Sequence, residues 1–136
     1  MSVMTMIFIG VQFEQAELKI IKQNGEELEF MVELADTPEL RRLGLMFRTK
    51  LAENAGMFMD FGYERIIGMW MKNTLIPLDM LFADAQGNIF LIAENARPLS
   101  LEIISSQKPG RYVLEIPGGS AKRLGITPGD KIRLCK

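Results

Sequence analysis

The sequence contains no histidine, which removes a serine–histidine triad, an imidazole proton shuttle and a histidine-ligated metal from the chemistry open to it. Its single cysteine, Cys135, stands next to the end, so neither an internal disulfide nor a cysteine-rich zinc site can form. An excess of charge is lacking as well: 16 Lys and Arg against 17 Asp and Glu leave a net charge of −1. That balance argues against a nucleic-acid surface built on bulk charge. No apolar run approaches the ~20 residues of a membrane-spanning helix. What the chain does have is apolar content, 48% of 136 residues, enough for the core of one ordinary domain and incompatible with wholesale disorder.

The most apolar stretch near the start is Val3 to Val11 (VMTMIFIGV), which lacks the positively charged beginning of a complete secretory signal. Residues 1–16 therefore carry two readings. They fit the end of a clipped export segment, because Gln12 to Ala16 turn abruptly polar. They equally fit a first strand, because Ile7, Ile9 and Val11 alternate with smaller or apolar neighbours. The export reading makes the chain a signal-peptide protein of the periplasm; a cytoplasmic location stays open beside it. Residues 17–136 read as a single β-rich domain.

Beyond residue 16, short strands alternate with turn signals. Leu18 to Lys22 and Leu28 to Leu34 flank Asn24-Gly25, a dipeptide suited to the positive φ of a hairpin turn. Leu28, Phe30, Val32 and Leu34 alternate with Glu29, Met31 and Glu33, the pattern of a strand with one face on a core. Thr37-Pro38-Glu39 predicts a helix start, with Leu40, Leu43 and Phe47 on its apolar face and a helix over about 37–47. Gly56 to Phe61 and Arg65 to Met71 read as two strands around Gly62-Tyr63. Leu78 to Ala83 and Ile89 to Ala93 form a further hairpin pair. Arg111 to Ile116 is a strand, Ser120 to Leu124 a helical turn ended by Gly125, and Lys131 to Leu134 a last strand after the Pro128-Gly129 turn. Many short strands with two brief helices predict a mainly β fold, barrel-like or a strongly curled mixed sheet.

The residues with chemistry gather in Gly44-Leu45-Met46-Phe47-Arg48, then Trp70-Met71-Lys72-Asn73-Thr74 and Pro77-Leu78-Asp79. Together with Leu114-Glu115, Leu124-Gly125-Ile126 and Gly129-Asp130, they resemble the bacterial and archaeal family catalogued as domain of unknown function 192. The likeness runs from about Phe30 to Leu134. It implies a compact mainly β domain, often exported, and brings no established activity and no agreed catalytic residues.

Any functional reading therefore rests on the residues. On a strand through Arg65 to Lys72, Trp70 and Lys72 share one face. Asp79, among apolar neighbours, demands a partner, for which Lys72, Arg41, Arg42 and Arg48 are the available cations. These residues, with Asn73 and Glu115, suggest a pocket with an indole platform, cations and carboxylates, suited to a small anionic or sugar-like ligand or a protein partner. The bland alternative makes Asp79 a loop tie and Trp70 a core residue. A hydrolase-like enzyme would instead pair Asp79 with Glu115 across the scissile bond. A copper-handling protein would use the thioethers of Met57, Met59, Met69 and Met71, although methionine is a routine filler of irregular cores. Gly118-Gly119-Ser120-Ala121-Lys122 lacks the spacing of a phosphate loop. The leading expectation is a non-catalytic binding domain with its pocket near Trp70, Lys72 and Asp79, without metal or cofactor.

Overall fold

The computed structural model describes residues 7, 8 and 11–135. Much of the Val3 to Val11 stretch thus lies outside the described residues. What is described there is a two-stranded antiparallel pair, β1 (Ile7–Phe8) with β2 (Val11–Gln12). Phe13 then enters the core, and Gln15 and Ala16 already belong to β3 (Gln15–Ile21).

β3 turns through Asn24-Gly25 into β4 (Glu27–Ala35), and Gly25 has the left-handed φ of 92° that the turn requires. α1 (Pro38–Leu43) follows and leads to β5 (Ala55–Arg65), which lies parallel to β4. A short β6 (Gly68–Met69) leaves the main sheet, and β7 (Leu78–Ala83) and β8 (Ile89–Ala96) return to it as a hairpin. β9 (Ile104–Ser105) pairs with β6, while β10 (Gly110–Pro117) inserts between β5 and β7. α2 (Ser120–Leu124) precedes β11 (Lys131–Cys135), which closes on β3.

The seven-stranded sheet has the order β11-β3-β4-β5-β10-β7-β8, with β4–β5 as its parallel pair. It curls until the outer strands meet at one corner, where Asn88 bridges Lys131 and the Ile132 N–H donates to the Gly87 carbonyl at 2.8 Å. The backbones approach so closely that a Cβ on residue 87 would collide with the Ile132 carbonyl; glycine is required there.

Both sheet faces are covered, which is why all six residues of β7 are buried. The inner face carries Leu18, Ile20, Phe30, Val32, Phe58, Leu81, Leu114, Ile116 and Ile132, with Ala121 of α2 against them. The outer face carries Met57, Met59, Met80, Phe82 and Val113 beneath α1 and the chain around Ile67 to Met71. The candidate site lies on this outer side.

Three elements differ from the sequence reading. α1 stops at Leu43, not at residue 47, because Gly44 (φ 49°, ψ −133°) turns the chain while its N–H still reaches the Leu40 carbonyl. Phe47 consequently sits outside the helix, half exposed, with φ 67°. The predicted hairpin at Gly62-Tyr63 is also absent. β5 runs straight past Gly62 as a bulge, Asp60 opposing Tyr112 and Arg65 opposing Gly110. Asp60 fixes the bulge by accepting from the Gly62 N–H at 2.8 Å and from both Nε (2.9 Å) and Nη2 (3.2 Å) of Arg111. The predicted strand Arg65 to Lys72 shrinks to β6, and Trp70 and Lys72 lie in the loop beyond it.

The start of α1 follows the sequence closely. Thr37 caps it by accepting from the Leu40 N–H at 3.2 Å, and Pro38 occupies the first helical position. Thr37→Ala is expected to lower stability by about 1 kcal/mol in urea unfolding. An unchanged midpoint would show that the short helix is held by packing alone.

Candidate functional site

The last turn of α1 projects Arg41 and Arg42, and the loop after it supplies Gly44 and Met46. β5 contributes Met59 and Phe61, and the chain after β6 contributes Trp70, Lys72 and Thr74. These elements enclose a cavity of about 260 Å³ over the outer sheet face. Its size falls just below the range of about 300–1,000 Å³ usual for ligand pockets.

Glu115 lies at the floor. Alternation along β10 places it beside Val113 on the outer face, and its register sets it between Met57 of β5 and Met80 of β7. It is 4% exposed, and among the described residues nothing donates a hydrogen bond to it or forms an ion pair with it. Burial among these neutral neighbours pushes its pKa up from 4.5 to about 7. Gly44 helps keep the carboxyl uncovered. A Cβ at that position would lie 3.9 Å from Glu115 Oε1 and 3.3 Å from Met59 Cε, at a φ that disfavours a side chain.

The mouth is cationic. Arg41 stacks its guanidinium over the Phe61 ring at 4.8 Å and donates from Nη1 to the Asp60 carbonyl at 2.9 Å. Burial first, and then nearby Arg65, lower its pKa, yet a guanidinium keeps its charge throughout the physiological range. Arg42 and Lys72 are exposed and make no ion pair among the described residues. Lys72 Nζ lies 5.2 Å from the centroid of Trp70, a cation–π contact. Trp70 is 40% exposed and is thus a platform at the rim.

Of the residues singled out from the sequence for this pocket, it brings together Trp70, Lys72, Arg41, Arg42 and Glu115. Asp79, Arg48 and Asn73 do not line it. Asp79 is fully buried on the inner side, and its partners are backbone amides, not a cation. Oδ1 accepts from Asn95 (2.9 Å) and Gly119 (3.0 Å), and Oδ2 from Ala121 (2.8 Å). Arg48 is drawn away by Glu33, with Nη1 to Oε2 at 2.6 Å and Nη2 to Oε1 at 2.9 Å, and packs over Phe13. Asn73 (φ 55°) shapes the loop, its carbonyl accepting from the Phe47 N–H at 2.8 Å.

The pairing of Asp79 with Glu115 fails on register. Asp79 lies opposite Ile116, whereas Met80 lies opposite Glu115. Adjacent positions point to opposite faces, so the two carboxylates are separated by the sheet. Met57, Met59, Met69 and Met71 are all buried in the outer core cluster together with Met80, and Met59 and Met69 also flank the cavity. Gly44, Met46, Phe61 and Thr74 were not anticipated as lining residues. The one signal pointing to them was the glycine, a helix breaker at the helix end.

A curled β-sheet domain with a small pocket on its outer face, acid at the floor and cations at the mouth, is the class of protein defined here. The chain belongs to the family domain of unknown function 192, described as an uncharacterised ACR, whose profile matches residues 19–134. It is similar to a solved structure from Sinorhizobium meliloti 1021, described as a candidate transcription regulator. The two are 45% identical with a TM-score of 0.90 over 91% of this chain and 96% of that one. It is also similar to a protein of unknown function from Novosphingobium aromaticivorans DSM 12444, 38% identical with a TM-score of 0.84 over 91% of this chain and 86% of that one. No curated protein matches the chain significantly. Among the described residues, no helix is long and apolar enough to cross a membrane.

Proposed function

We propose that the domain binds a small anionic or sugar-like ligand in the pocket between α1 and the Gly68 to Thr74 segment, and that it performs no chemistry on it. One observation carries this reading: a largely buried glutamate without a protein partner, its carboxyl open to a cavity whose mouth holds three cations. A buried polar group without a partner is costly, and here the missing partner has both space and an entrance. Trp70 offers a flat apolar surface to the carbon face of a ring, while Arg41, Arg42 and Lys72 meet its charge. The Sinorhizobium protein is described as a candidate transcription regulator, and the near-neutral charge of this chain does not favour a nucleic-acid-binding reading here.

Trp70 is the chain's only tryptophan, so its emission reports on the pocket alone. Iodide is expected to quench it, and a sugar acid such as glucuronate to shift it and protect it from iodide. Arg42→Ala should weaken that binding about tenfold, the loss of one charge-assisted hydrogen bond. An emission that iodide cannot reach, or that no sugar, sugar acid or small anion alters, would overturn the reading.

A further inference from the structure

The floor and the mouth of the pocket make opposite electrostatic demands, and a protonated Glu115 reconciles them for an anionic ligand. Arg41, Arg42 and Lys72 at the mouth repel a cationic ligand and attract an anionic one. An ionised Glu115 at the floor would repel that same anion in a poorly solvated space. The groups facing Glu115 do not neutralise it. Met57 approaches from β5, Met80 from β7, and Val113 precedes it on β10. Gly44 and Met59 close the side toward α1, and no second acid lines the cavity.

We infer that the pocket takes up its anionic ligand together with one proton: Glu115 in its acid form donates a hydrogen bond to an oxygen of the ligand, whose charge is met by Arg41, Arg42 and Lys72. This inference rests on the binding reading above and adds a donor, a ligand class and a proton to it. The ligand class is an oxyanion, a carboxylate or phosphate ester, with an oxygen free to accept. Neutral sugars lack the charge that the mouth selects, and amines meet repulsion there. The proton comes from solvent, is held on one Glu115 oxygen in the complex, and returns when the ligand leaves.

The chain suits a direct test because it has no histidine, so Glu115 is the pocket's group with a pKa near neutrality. Glucuronate, fully ionised above pH 5, is titrated against Trp70 emission at pH 6 and pH 8, with glucose as the uncharged control. With a carboxyl titrating near 7, wild-type affinity for glucuronate should be about tenfold weaker at pH 8 than at pH 6. Glu115→Gln supplies an N–H donor that needs no proton, so whatever affinity it has should be equal at the two pH values. Equal wild-type affinities, or the same pH dependence in Glu115→Gln, would overturn the proton coupling and leave ligand binding intact. No response at pH 6 in either form to glucuronate, inorganic phosphate or the other sugars and small anions would overturn the binding reading and this inference with it.

Discussion

Replacing Asp79 by alanine is expected to lower the stability of the domain by about 3–5 kcal/mol at pH 7, without altering the pocket. The side chain is fully buried and accepts from three backbone amides, those of Asn95, Gly119 and Ala121. Alanine leaves all three donors without their acceptor, and the buried Ala121 amide has the least access to water in its place. The damage spreads because the amides belong to separate parts of the chain. Asn95 is in β8, and Gly119 and Ala121 form the start of α2, which rests on the inner core. α2 has no side-chain cap of its own; the Asp79 carboxylate serves as one from a distant strand. Asp79→Asn should fall between wild type and alanine, since an amide keeps one acceptor and places a donor against a donor. Urea unfolding measures the difference, and a loss below about 1 kcal/mol would show that α2 finds other partners. Because Asp79 faces away from the cavity, folded Asp79→Ala should bind glucuronate as wild type does. A folded variant with weakened binding would place Asp79 in the site after all.

How far the sequence anticipates this site is decided residue by residue. Alternation in Arg111 to Ile116 already puts Glu115 opposite Tyr112, Leu114 and Ile116, and that placement holds because strand period is local. Alternation likewise separates Asp79 from Leu78 and Met80. Which side of β7 matches which side of β10 is a matter of register, and only the paired sheet reveals that the two acids point apart. Burial of Asp79 follows from its apolar neighbours, but its amide partners lie 16, 40 and 42 positions away and carry no side-chain signature. Trp70 and Lys72 do lie together, though through a cation–π contact in a loop and not through strand alternation. Arg41 and Arg48 looked equivalent while the helix was read through to Phe47. Ending it at Gly44 leaves Arg41 at the mouth and sends Arg48 to Glu33. The barrel-like curl was legible because many short strands need their edges protected. The bulge at Gly62 was not, because glycine signals a turn and a bulge alike.

The pocket's acid should also be visible in the stability of the free protein. Burial raises the Glu115 pKa in the folded chain to about 7, while the unfolded chain holds it near 4.5. Between those values the folded state binds the extra proton, so stability falls as pH rises from about 4.5 and levels off above 7. The whole effect corresponds to about 3 kcal/mol, with most of it lost between pH 5 and pH 8. Glu115→Gln has no proton to lose and should not show this decline. Urea unfolding is therefore expected to find the variant close to wild type at pH 5 and more stable than it by about 2–3 kcal/mol at pH 8. Parallel profiles for the two proteins would mean that the carboxyl is solvated or partnered, and the binding reading would lose its anchor. The sign matters for function. A structural carboxylate such as Asp79 stabilises by being paired, so its removal harms the fold. Glu115 does the reverse: the free protein is less stable for carrying it near neutral pH, and a ligand that supplies its missing partner would restore what burial takes away. Removing Glu115 should thus strengthen the fold at pH 8 and abolish the pH dependence of binding, a combination that a core residue does not produce.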